Sequence, residues 1–246
     1  MNLVKFETRD ADAYVNPDQI AAIQDYDGGP RILLAGGHYI NAKENLTDIF
    51  DKLAKTGSVV YEKVEPAVRS LKDFEPGSLV RIGDNIWNVL NYNSEEDTTE
   101  LVSYTKAAEM PFGETAEYRN SNVRSYCENT FYSKLADLVG AENIKQHYVD
   151  LTAFDGTGDG EGCSAMVSVL TASAINKYEK QLRIPCYSFW TATRKSYNSE
   201  DKRYVLLSSF ISTTCDQKKD VYPYVVLDSN VTAREAEFYE FYDAID

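Results

Sequence analysis

Tight-turn signals recur throughout this chain, each flanked by short β-prone runs, which restricts it to folds assembled from hairpins and small sheets. Asn16-Pro17-Asp18, Asp27-Gly28-Gly29-Pro30, Gly36-Gly37 and Gly83-Asp84-Asn85 are such signals. Ile20 to Tyr26 alternates before the second of them and Arg31-Ile32-Leu33-Leu34 follows it, the pattern of a β-hairpin. A helix is predicted from about Lys43 to Lys55, with Leu46, Ile49, Phe50 and Leu53 on one stripe, Asn45 or Asn41 as cap and Gly57 as stop. Strands follow at Leu79–Ile82, Ile86–Tyr92 and Glu100–Thr105. Val123 to Leu138 has helical spacing, capped by Ser121 or Asn122 and ended by Gly140. Val167–Leu170 reads as a strand, and Thr171 or Ser173 caps a helix through Ala174 to Leu182. Three β-prone runs close the pattern: Tyr187–Thr193, Tyr204–Ser209 and Tyr222–Leu227. Strands at both ends with helices between them predict an α+β fold.

The expected organisation is a β-rich module with a closing helix at 1–57, a connector at 58–73, a larger α+β domain at 74–231 and an acidic tail at 232–246. In that tail, Phe238, Phe241, Tyr242 and Ile245 form one stripe of a possible amphipathic helix.

The formal charge is −14. Direct binding to nucleic acid or anionic lipid is excluded on that count, because phosphate contact needs clustered Lys and Arg. No basic-then-apolar leader and no apolar run of about 20 residues is visible. The expectation is therefore synthesis in the cytoplasm without membrane insertion, with action in a virion or a host-cell cytoplasm. Cys127, Cys163, Cys186 and Cys215 are widely spaced, and only His38 and His147 could join them around zinc, so reduced, mostly buried thiols are expected. Ser164 lacks the second glycine of a nucleophile elbow, Cys163 has no base nearby in sequence, and no phosphate-cradling glycine loop is present. No cofactor is expected.

Two resemblances add to this reading. Tyr14-Val15-Asn16-Pro17-Asp18-Gln19-Ile20, the strand at 31–35, Gly36-Gly37 and the closing helix resemble a short family. That family includes a small protein of flagellar operons and stand-alone phage and mobile-element proteins; it implies a β-hairpin-plus-helix module. From about 72 to 230, an ordered motif series resembles uncharacterised gut-bacterial and phage proteins, including the domain of unknown function numbered 6273. The series comprises Phe74, Gly77, Ile82, Gly83 and Trp87, then Asn120-Ser121-Asn122-Val123-Arg124, Gly140-Ala141-Glu142-Asn143 and Asp150-Leu151-Thr152-Ala153-Phe154-Asp155-Gly156. It continues with Val167 to Thr171, Lys177-Tyr178, Phe189 to Arg194 and Asp220 to Leu227. The resemblance implies a C-type-lectin-like domain and a ligand-binding role. In this chain Trp190 alone remains of a tryptophan cluster, Arg194 replaces a proline and Tyr222 an arginine.

Tyrosine is in excess, 18 against 10 Phe and 2 Trp. Several tyrosines fall in the stretch expected to bind ligand, where Trp190, Arg194, Tyr197, Asn198, Tyr204, Ser208 and Phe210 mix rigid aromatics with adaptable polar groups. Core is the alternative reading for Trp190, Tyr204 and Phe210, and for Trp190 it is the favoured one, since aromatics of short strands usually pack inward. Asp155, Asp159 and Glu161 lie in a glycine-rich loop resembling the start of a calcium site, but Met166 stands where a bidentate Glu belongs, and a plain surface loop is the better reading. The sequence points to a non-enzymatic binding protein of phage or mobile-element type that recognises a protein or glycan. Its rivals are an acidic phosphate mimic that inhibits a nucleic-acid-handling or defence complex, and an enzyme of unknown class.

Overall fold

The computed structural model describes residues 3–8, 12–24, 30–36, 38–55, 67–158, 162–184, 188–197, 202–206 and 209–236, with side chains undescribed at 21, 22, 24, 202–206 and 209. The chain divides into two compact units, Met1–Glu65 and Pro66–Asp246.

In the first unit, β1 (Val4–Phe6) pairs with β2 (Ala13–Val15), and β3 (Ile20–Gln24), β4 (Arg31–Leu34) and β5 (Tyr39–Asn41) form an antiparallel sheet. The Asn16 side chain accepts the Asp18 amide, turning the chain from β2 into β3. Helix α1 (Leu46–Ala54) starts where Asn45 Oδ1 accepts the Asp48 amide at 2.8 Å. Its apolar stripe buries Ile49 and Leu53 against Phe6, Val15 and Ile32. Gly57, the expected stop, lies outside the described residues.

The second unit carries two main sheets. In the larger, β6 (Arg69–Ser70), β7 (Leu79–Ile82), β8 (Asn85–Asn93) and β9 (Thr98–Ser103) are joined by β11 (Ile144–Lys145), β14 (Val167–Val169), β19 (Pro223–Asp228) and β20 (Thr232–Glu235). The strand order is β11-β19-β9-β8-β7-β20-β6, with β14 also on β19. The second sheet has the order β10-β18-β15-β16-β17, where β10 is Ala108–Pro111, β15 Ser188–Arg194, β16 Lys202–Leu206, β17 Ser209–Thr213 and β18 Lys218–Val221. A short ribbon pairs β12 (His147–Val149) with β13 (Cys163–Ala165).

Side-chain alternation buries the larger sheet on both faces. Val89 and Leu101 enter the main core, while Leu90 and Val102 join a second cluster with Ile175, Tyr178, Phe189 and Tyr222. The helical stretch predicted from Val123 forms in three pieces: α2 (Asn122–Ser125), a wider π turn at Tyr126–Phe131, and α3 (Tyr132–Val139). Ser121 caps it, and Gly140, at φ +86°, ends it. Glu128, within the π turn, accepts the amides of Met166 and Val167 and so pins the kink between β13 and β14. Helix α4 (Ala172–Lys177) is capped by Thr171 and is shorter than expected, stopping before Leu182.

Strand pairing runs across both expected boundaries of the larger domain. Arg69 and Ser70, expected in the connector, pair with Ala233 and Thr232, expected in the tail. Arg234 and Glu235 likewise pair with Arg81 and Val80 as strand rather than helix. Phe238, Phe241, Tyr242 and Ile245 lie outside the described residues. Among the described residues no helix is long and apolar enough to cross a membrane.

Candidate functional site

Two stretches singled out separately in the sequence meet in space. The loop Ala153–Gly158 runs along the turn that follows β15, and the Phe154 amide donates to the Arg194 carbonyl at 2.9 Å. The Tyr197 amide donates to Thr157 Oγ1 at 3.0 Å. Asp155 Oδ1 accepts both the Thr157 amide and its hydroxyl, at 3.0 and 2.6 Å, which closes the loop on itself. Those bonds, the hydroxyl's first, hold the Asp155 carboxyl below its ordinary pKa. Arg194 donates to the Tyr197 carbonyl at 2.6 Å, and its guanidinium lies 5.6 Å from the centre of that tyrosine ring. The Phe154 ring packs at 5.1 Å on Phe210 of β17. Phe154 is 43% exposed and Tyr197 49%, so aromatic surface faces solvent on a hydrogen-bonded frame.

Arg194, Tyr197 and Phe210 of the expected site are therefore brought together. Trp190 is not available: it is completely buried, packs edge-on against Phe112 at 5.3 Å, and donates its indole N–H to the Met110 carbonyl. Its position on β15 points it into the main core, where a buried indole needs an internal acceptor. Tyr204 lies on β16 opposite Trp190, with its side chain outside the described residues, as are Asn198 and Ser208. Phe154 was missed as a site residue, because nothing local couples the 153–158 loop to the turn after β15.

Asp159 and Glu161 of the calcium-like loop lie outside the described residues, and Asp155 is engaged by its own loop. Among the described residues no cluster of His, Cys, Asp or Glu suits a metal ion. Burial raises the Cys127 and Cys163 thiols above their ordinary pKa, and in Cys163 it outweighs the opposing pull of Arg124 and Arg119. Cys163 lies opposite Val149 on the ribbon, while His147 Nε2 is 2.8 Å from Ser168 Oγ; these contacts do not join the two as nucleophile and base. Cys186 lies outside the described residues.

A polar cluster unforeseen in the sequence lies at the β9–β19–α4 junction. Glu100 Oε2 accepts the hydroxyls of Tyr178 at 2.5 Å and Tyr224 at 2.6 Å, and Oε1 accepts the Asn91 amide at 3.1 Å. Burial, together with the Glu100 carboxylate, pushes both phenols far above their ordinary pKa, so they remain donors. The ring of His147 meets Tyr224 edge-on at 5.0 Å. Burial lowers the His147 pKa to about 4, against the raising effects of the Lys145 backbone and Glu100, so the imidazole is neutral at pH 7.

No protein-family model matches the chain, and no curated protein or solved structure matches it.

Proposed function

We propose that this chain is a non-enzymatic recognition protein that docks a protein or glycan ligand on the surface formed by Phe154, Arg194, Tyr197 and Phe210. The observation that carries this reading is the tie between two loops, Phe154 amide to Arg194 carbonyl and Tyr197 amide to Thr157 hydroxyl, which holds the backbone beneath two exposed rings before any ligand arrives. Aromatic side chains held in this way give large contact area with little ordering cost on binding. A C-type-lectin-like identity for the larger unit, and a phage or mobile-element origin, belong to the same proposal; they rest on the motif series and on the α+β make-up of the unit.

The test is a glycan-array and affinity-capture screen of the wild type beside Phe154→Ala and Tyr197→Ala. Each substitution is expected to weaken captured binding by about tenfold or more, as truncation of a central aromatic anchor does. Unchanged binding by both variants overturns the reading. Binding that collapses steeply with added salt and ignores both substitutions points instead to an acidic phosphate mimic.

A further inference from the structure

The Glu100 cluster opens on a cavity of about 250 Å³ whose walls include Glu100, His147, Tyr148, Asp150, Tyr178 and Tyr224. The lining residues include three tyrosines, His147, Glu100 and Asp150, with one cation, Lys177. The position of that cation is informative. Lys177 Nζ lies 4.4 Å from the centre of the Tyr178 ring and 3.9 Å from Glu100 Oε1, and it donates to the Tyr178 hydroxyl. Its side chain nevertheless remains 63% exposed, so it is free to swing into solvent at small cost. The Tyr148 ring lies against Gly162, where a Cβ would fall 2.1 Å from it and force it away.

We propose that this cavity binds a primary alkylammonium group, which takes the position that Lys177 occupies between Glu100 and the Tyr178 ring. Carboxylates outnumber cations on the wall, which disfavours an anion and favours a cation over a neutral guest of equal size. The volume is below that of drug-sized sites, which fits a short amine or a single side chain. Lys177 acts as the resident competitor, and removing it vacates the site.

Calorimetric titration of the full chain with n-butylammonium, and with n-butanol as its neutral isostere, tests this. Saturable binding of the ammonium and none of the alcohol is expected. Lys177→Met is expected to tighten ammonium binding roughly threefold, the scale of losing one exposed competing cation contact. In that background Glu100→Gln abolishes binding, and Tyr148→Ala, at an exposed position, weakens it severalfold and serves if the Glu100 variant fails to fold. A blocked lysine-containing peptide separates the sources: tighter binding than butylammonium assigns a protein lysine, and equal binding a free amine. Absence of butylammonium binding to Lys177→Met, or equal binding of butanol, overturns the proposal.

Discussion

Glu128 accepts two backbone amides, from Met166 at 2.9 Å and Val167 at 3.3 Å, across 38 and 39 residues of sequence. Removing the carboxylate strands both amides at the kink between β13 and β14, and an unpaired, partly buried amide costs on the order of 1–3 kcal/mol. Glu128→Ala is accordingly expected to lower stability by about 2 kcal/mol in urea denaturation, and Glu128→Gln, which keeps an acceptor, by less. His147 makes a different prediction. Its pKa falls from 6.5 to about 4 on folding, chiefly through burial. Between those values the unfolded chain binds more protons than the native one, so the contribution is fully present above about pH 6.5 and is lost as pH falls toward 4. His147→Gln is expected to remove on the order of 2 kcal/mol from the stability difference between pH 7 and pH 4. An unchanged pH profile in the variant contradicts this. Neither role is visible in sequence, where Glu128 is one residue of the helix predicted over Val123 to Leu138 and His147 enters only as a residue that could join cysteines around zinc.

Local signals set the elements that were legible. Asn45, Ser121, Thr171 and Gly140 act as cap or stop in the structure as their residue types predict. The Gly83-Asp84 turn joins β7 to β8 with Ile82 opposite Asn85. Gly83 has φ +59°, and a Cβ there would lie 2.7 Å from the Leu138 side chain. Gly83→Ala is therefore expected to cost about 1–2 kcal/mol, read as a lowered thermal midpoint. The strands that escaped the reading lack a periodic signal. Lys218–Val221 carries three charged residues yet forms β18, because it pairs with β10 and, in parallel, with β15. Its strand character comes from partners more than 20 residues away and not from its own composition. The candidate surface shows the same division. Its aromatic character was readable in Tyr197 and Phe210, whereas their union with Phe154 depends on a loop crossing that no spacing encodes.

At the scale of the whole chain, the larger unit is closed by its own ends. β20 lies between β6 and β7, so residues 232–235 complete a sheet begun at 69 and 79. Ala233 and Ala236 are buried there, and the Ala236 amide donates to the Leu79 carbonyl. This arrangement predicts a sharp difference between two truncations. A chain stopped after Ala236 keeps every described pairing of β20 and is expected to retain the near-UV circular dichroism and cooperative unfolding of the full protein. A chain stopped after Val231 exposes the facing edges of β6 and β7 and is expected to lose several kcal/mol, enough to exhaust much of a domain's net stability. Equal stability of the two C-terminal truncations would show that β20 contributes little to closing the sheet, and would return the domain boundary to residue 231.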